Sequence, residues 1–104
     1  MMTDEECIEV AEKVWGEWFP GITDIPTLGV HVRSYAGMGK TLEAMRAKGT
    51  WFCDIHRWSA YPDFTQTDDY WSVGFRGHSA FYVHDTDLPT AVHRAALAAL
   101  RGQG

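Results

Sequence analysis

Between Asp69 and Leu100 the chain leaves few choices of fold. Asp69-Tyr-Trp-Ser-Val-Gly-Phe-Arg76 and Ser79-Ala-Phe-Tyr-Val-His-Asp85 are two aromatic and β-branched runs of strand length around Gly77-His78. Runs of that kind separated by a tight turn pair as an antiparallel hairpin. A helix follows from about 87 to 100. Asp87 can accept hydrogen bonds from the first-turn N–H groups, Pro89 sits where its missing N–H costs nothing, and Gly102 stops the Ala-rich run.

Upstream, Thr3 and Glu6 form a capping box that opens an amphipathic helix. Cys7, Ile8, Ala11, Val14, Trp15 and Trp18 share one side, and Glu5, Glu6, Glu9, Glu12, Lys13 and Glu17 share the other. Phe19-Pro20-Gly21 is expected to end it. Residues 21–36 read as a loop, with at most a short edge strand where Val30 and Val32 alternate with His31 and Arg33. A second helix is expected over 37–49, with Met38, Leu42 and Met45 as its apolar stripe and Lys48-Gly49 as its close. Residues 50–58 have strand composition, and 61–69 form a polar loop.

Alternation then divides the sheet into two faces. Trp51, Cys53, Ile55, Trp71, Val73, Phe75, Phe81 and Val83 make an apolar face. Phe52, Asp54, His56, Trp58, Tyr70, Ser72, Tyr82 and His84 make the other, which mixes aromatic and polar groups. Helices before and after the strands must cover the apolar side. The expected fold class is α+β: a three-stranded antiparallel meander packed between helices on both sides, in the order α-α-β-β-β-α, as one domain over residues 1–104.

The residues of several of these elements resemble a known family. Arg46-Ala-Lys-Gly49, Thr50-Trp-Phe52, Tyr70-Trp-Ser-Val-Gly-Phe75 and Leu88-Pro-Thr-Ala-Val-His-Arg-Ala-Ala-Leu97, with the capped helix around Ala11-Glu-Lys-Val14, resemble the phage ABA-sandwich family. The resemblance spans most of the chain except 20–36 and 59–68. It implies a sheet between helices and a phage or prophage origin. It implies no catalytic residue.

Motifs for chemistry are sparse. Gly39-Lys40-Thr41 matches the end of a phosphate-binding loop, but Ser34 stands where that motif needs its first Gly, so a helix start is the better reading. Cys53 and His56 are spaced like metal ligands, yet residues three apart on a strand point to opposite faces. Asp54, His56 and His84 do share a face and could act as acid–base or metal-binding groups. Cys7 reads as core, His93 as a solvated flank beside Arg94, and Leu97 as covering a neighbouring element.

The net charge of −5 and the scattered nine Lys and Arg argue against direct nucleic-acid binding. No apolar run reaches about 18 residues, and residues 1–6 lack a signal-peptide pattern. Two unpaired Cys suit a reducing compartment, so the expected location is the cytoplasm of an infected host. The expectation is a small phage accessory protein that acts by binding against host defence, with no cofactor and no membrane partner. Its partner would be a host protein or a small nucleotide, and a homo-oligomer is compatible with that role. For a nucleotide, Trp58, Tyr70 and Tyr82 would stack the base, Arg33, Lys40 or Arg57 would meet phosphate, and Asp54, His56 and His84 would complete the site. The competing readings are a small metal- or His-dependent hydrolase and a structural phage protein.

Overall fold

The structure, a computed structural model, describes residues 2–18, 20–49, 52–58, 70–76 and 82–102. The expected Gly77-His78 turn, the 59–69 loop and the placements of Phe19, Thr50, Trp51, Ser79 and Phe81 lie outside the described residues, as do the side chains of Phe52, Trp58 and Arg76. The elements are α1 (Asp4–Glu9), continued by a π-helical segment (Val10–Trp15), then α2 (Ile25–Val32) and α3 (Tyr35–Ala47). Strands β1 (Phe52–Trp58), β2 (Tyr70–Arg76) and β3 (Val83–Asp85) follow, and α4 (Leu88–Gly102) closes the chain. The strands form an antiparallel sheet in the order β1-β2-β3. The α+β class and the meander are as the sequence predicts.

Two local expectations are corrected. The first helix ends at Trp15 rather than at Phe19-Pro20, because Gly16 takes a left-handed conformation with φ of 84°. Residues 25–32 are a helix rather than a loop or edge strand. Asp24 caps it by accepting from the Thr27 N–H at 3.0 Å and the Thr27 hydroxyl at 2.7 Å, and Pro26 sits harmlessly in its first turn. The same device starts α4. There Asp87 accepts from the Thr90 N–H at 3.1 Å and the Thr90 hydroxyl at 2.6 Å.

Helix α4 is the centre of the packing. One side lies on β2 and β3, and another meets α3 and the π-helical segment. Ala91, Val92, Ala95, Ala96, Leu97 and Ala99 are all buried, so the helix is covered on more than one side. Its alanines let the sheet and the helical layer approach closely. Met2, Cys7, Val10, Val14, Leu28, Val32, Met45, Val73 and Phe75 complete the core. The helices therefore stack in depth on one side rather than on both sides as expected: among the described residues, the substantial helix–sheet contacts are those of α4, and the other helices pack behind it.

Burial on both sides also overturns the solvated placement of His93, whose side chain is inaccessible to solvent. Its Nε2 lies 2.6 Å from the Val32 carbonyl, which can only accept, so Nε2 carries the proton. That carbonyl belongs to the last turn of α2, where no intrahelical donor remains. Nδ1 is then left to accept from the buried Thr41 hydroxyl at 2.8 Å, and Thr41 Oγ1 in turn accepts from Trp15 Nε1–H at 2.8 Å. This chain joins the first helix, α3, α4 and α2 with every member satisfied. Burial holds the imidazole neutral, pulling its pKa from 6.5 to about 4.

Charged groups fasten the rim. Arg94 on α4 binds Glu6 at 2.9 Å and Asp85 of β3 at 3.1 Å, linking the first helix to the sheet edge. Hydrogen bonds from Arg94, helped by the Thr3 backbone N–H, hold the Glu6 carboxyl down to about 2 despite its partial burial. Leu97 is buried against neighbouring elements, and Cys7 is core, both as the sequence suggests.

Candidate functional site

The second face of the sheet presents the polar and aromatic groups expected from alternation. His56 stands opposite Ser72, and Ser72 stands opposite His84, so these three form one row across the strands. Two strand spacings put the histidine Cα atoms about 10 Å apart, with Ser72 buried between them. In the next row Asp54 pairs with Gly74. Gly74 has no side chain to fill that row, and the Tyr82 hydroxyl reaches across it to donate to Asp54 Oδ2 at 3.0 Å. The Tyr70 ring tilts against His84 with centroids 5.2 Å apart.

Together His56, Tyr70, Ser72, Tyr82 and His84 line an open concavity of about 350 Å³. That lies at the lower end of volumes typical of small-ligand sites. His56, His84 and Tyr82 are exposed, and Tyr82 is 40% accessible despite its bond to Asp54. The site is built on paired strands, so its geometry follows from the ladder rather than from loop conformation.

Five of the nine residues expected at a site, Asp54, His56, Tyr70, Tyr82 and His84, are thus brought together. Trp58 pairs with Tyr70 in register, although its side chain lies outside the described residues. The three cations expected to meet phosphate are elsewhere, which corrects that part of the reading. Arg57 follows the opposite parity and lays its guanidinium over the Trp71 ring at 5.0 Å, on the α4 side. Lys40 sits over Trp15 at 5.4 Å on the helical layer. Arg33 donates to the Met2 carbonyl at 2.7 Å and to Asp4 at 3.1 Å, tethering the start of the chain.

No protein-family model, curated protein or solved structure matches the chain. The site must be read from its own chemistry.

The groups it offers are ring faces, imidazole nitrogens and, beside them, the Asp54 carboxylate. No group of three or more His, Cys, Asp or Glu side chains among the described residues is placed to hold a metal ion. Ser72 is too enclosed to be an accessible nucleophile. Thr41, the last residue of the phosphate-loop-like triplet, is spent inside the core on Trp15 and His93. Cys53 is half-buried, and desolvation raises its thiol pKa to about 11, so it is a poor nucleophile at neutral pH. No helix among the described residues is long and apolar enough to cross a membrane. Sequence reasoning missed the part played by Gly74, whose signal is its place in the strand directly opposite Asp54.

Proposed function

We propose that this is a binding protein that docks its polar-aromatic sheet face onto a basic partner, in the manner of an inhibitor of a host defence protein. The observation that carries the reading is the open concavity of His56, Tyr70, Ser72, Tyr82 and His84 beside Asp54, with Arg33, Lys40 and Arg57 all placed elsewhere. A net charge of −5 complements a basic surface and speeds encounter with it. Tyr and His side chains offer large contact area with few rotors to order. The phage setting rests on the resemblance of the strands and closing helix to the phage ABA-sandwich family.

A second reading, sequestration of a small nucleotide signal, is favoured by the volume of the concavity and by rings able to stack a base. Its three expected phosphate contacts lie elsewhere, and the donors that line the concavity among the described residues are the imidazoles of His56 and His84 and the hydroxyls of Tyr70, Ser72 and Tyr82. Native mass spectrometry of protein purified from a bacterial host separates the two. The inhibitor reading expects a co-purifying protein that disappears with the double variant His56→Ala, Tyr82→Ala while the fold is retained. A mass excess of several hundred daltons that vanishes on denaturation would replace it with sequestration. Turnover of a substrate abolished by His56→Ala would replace both with a hydrolase.

A further inference from the structure

We infer that the concavity takes a neutral heterocyclic base, as in a nucleoside, and leaves the phosphate of a nucleotide in solvent. This rests on the sequestration reading above and holds whether or not the face also docks a protein. The described residues that line the volume are His56, Tyr70, Ser72, Tyr82 and His84, and none of them is Lys, Arg, Asp or Glu. Each brings a group that can both donate and accept a hydrogen bond. A neutral imidazole has one nitrogen of each kind, and a hydroxyl donates once and accepts through its lone pairs. The Tyr82 hydroxyl spends its proton on Asp54 Oδ2 at 3.0 Å, which leaves its oxygen to accept. Among the described residues, no hydrogen bond or ion pair engages the imidazole of His56 or His84.

The rings select the shape. Tyr70 and His84 tilt against each other with centroids 5.2 Å apart. The register puts His56 and His84 on either side of the buried Ser72, with Cα atoms about 10 Å apart. A flat ring laid over Ser72 meets π faces and has imidazole nitrogens within reach of its edge. Purines and pyrimidines suit that arrangement, because every base has a π face to stack and an edge that mixes donors with acceptors. An aliphatic group would leave the polar groups it covers unpaired, at a cost. The phosphate is a different matter, since the cations expected to meet it are engaged elsewhere. Arg33 holds the Met2 carbonyl and Asp4, Lys40 lies over Trp15, and Arg57 lies over Trp71 on the α4 side of the sheet. The concavity of about 350 Å³ is open, so sugar and phosphate can stay outside it.

Titration of isotope-labelled protein followed by amide shifts tests this directly. The probes are adenosine, cytidine, adenosine monophosphate and ribose 5-phosphate. At least one nucleoside should move amides at 54–56, 70–74 and 82–84, and ribose 5-phosphate should move none of them. Adenosine and adenosine monophosphate should bind within about threefold of each other, because no charge-assisted bond holds the phosphate. Tyr70→Leu and, separately, His84→Ala should weaken the nucleoside about tenfold. Tyr35→Leu, at an exposed position on α3, should leave it unchanged. The amide spectrum of each variant reports its fold, and His56→Ala serves where one of the first two fails to keep it. Silence from both nucleosides, or equal loss in Tyr70→Leu and Tyr35→Leu, would overturn the assignment. Adenosine monophosphate binding more than about tenfold tighter than adenosine, or ribose 5-phosphate moving the same amides, would overturn it in favour of a phosphate site. If no nucleoside binds but a protein partner is captured, and is lost in the His56→Ala, Tyr82→Ala protein, the base site falls while docking stands.

Discussion

Acidification from pH 7.5 to pH 4.5 puts the buried Trp15–Thr41–His93–Val32 chain under a defined load. His93 is neutral in the folded protein, with its pKa pulled by burial from 6.5 to about 4, whereas in the unfolded chain it titrates near its ordinary value. The unfolded state therefore takes up a proton first. Stability from this group is fully present above pH 6.5 and is lost as pH falls toward 4. Each pKa unit corresponds to 1.36 kcal/mol, so the whole window is worth about 3 kcal/mol. That is a large share of the roughly 5–15 kcal/mol that stabilises a typical domain. Urea unfolding at half-unit pH steps measures it, with His93→Gln as the comparison. Glutamine does not titrate and keeps an N–H donor for the Val32 carbonyl. The variant should be less stable at pH 7.5 but should lose less on acidification, with a slope shallower than wild type by about 1.4 kcal/mol per pH unit between 6.5 and 4.5. The other four histidines are common to both proteins, so their contribution cancels in the difference. Parallel loss of stability in the two proteins, or an NMR titration placing His93 near 6.5, would refute the reasoning.

Lower pH isolates a second group. The Glu6 pKa, held at about 2 by Arg94, gives stability above pH 4.5 that is lost as pH falls toward 2; after discount for its partial exposure, Glu6→Gln should cost about 1–2 kcal/mol at pH 7 and remove that acid limb from the unfolding profile. Gly37→Ala should destabilise by about 1–3 kcal/mol in thermal unfolding, because a Cβ there would collide with the His31 and Val32 backbone carbonyls where α3 crosses α2. Ala96→Leu should cost a similar amount, since it forces extra volume into the fully buried surface of α4. Val73→Ala, beneath α4, should cost about 2 kcal/mol, whereas Tyr82→Phe on the opposite face should change stability by less than about 0.5 kcal/mol in the same melts.

The readable parts of the chain are those where one physical rule acts alone. Strand parity assigned Asp54, His56, Ser72, Tyr70 and His84 to one face because side chains alternate regardless of what covers them. The same parity places Arg57 with Ile55, away from His56, so its assignment to the site conflicted with a rule already in use. Helix α2 was masked by Pro26 and Gly29, which read as loop residues one at a time. Read together, Asp24-Ile-Pro-Thr27 repeats the grammar of Asp87-Leu-Pro-Thr90, and both start helices through the same aspartate–threonine bonds. His93 was misplaced for a different reason. A stripe argument assumes one buried side, but α4 carries Arg94 as its sole charge between Leu88 and Leu100, the composition of a helix buried nearly all round.

That central position of α4 also explains how a chain this short can keep a polar, aromatic face. The sheet needs only one side covered to be stable, and α4 supplies the cover while drawing its own support from the helices behind it. Val73 and Phe75 point into that packing, while Ser72 and Gly74, the intervening residues of the same strand, belong to the concavity and its rows. Core and site are thus separated by the alternation of a single strand rather than by distance. Substitutions at the exposed His56, Tyr82 and His84 can change the chemistry of the face with little cost to folding, but a one-residue slip of β2 would exchange the two sets. Register is pinned on the covered side, where Val73 and Phe75 seat against α4 and Arg94 ties Asp85 to Glu6. The packing that stabilises the fold is therefore also what aims the polar, aromatic face.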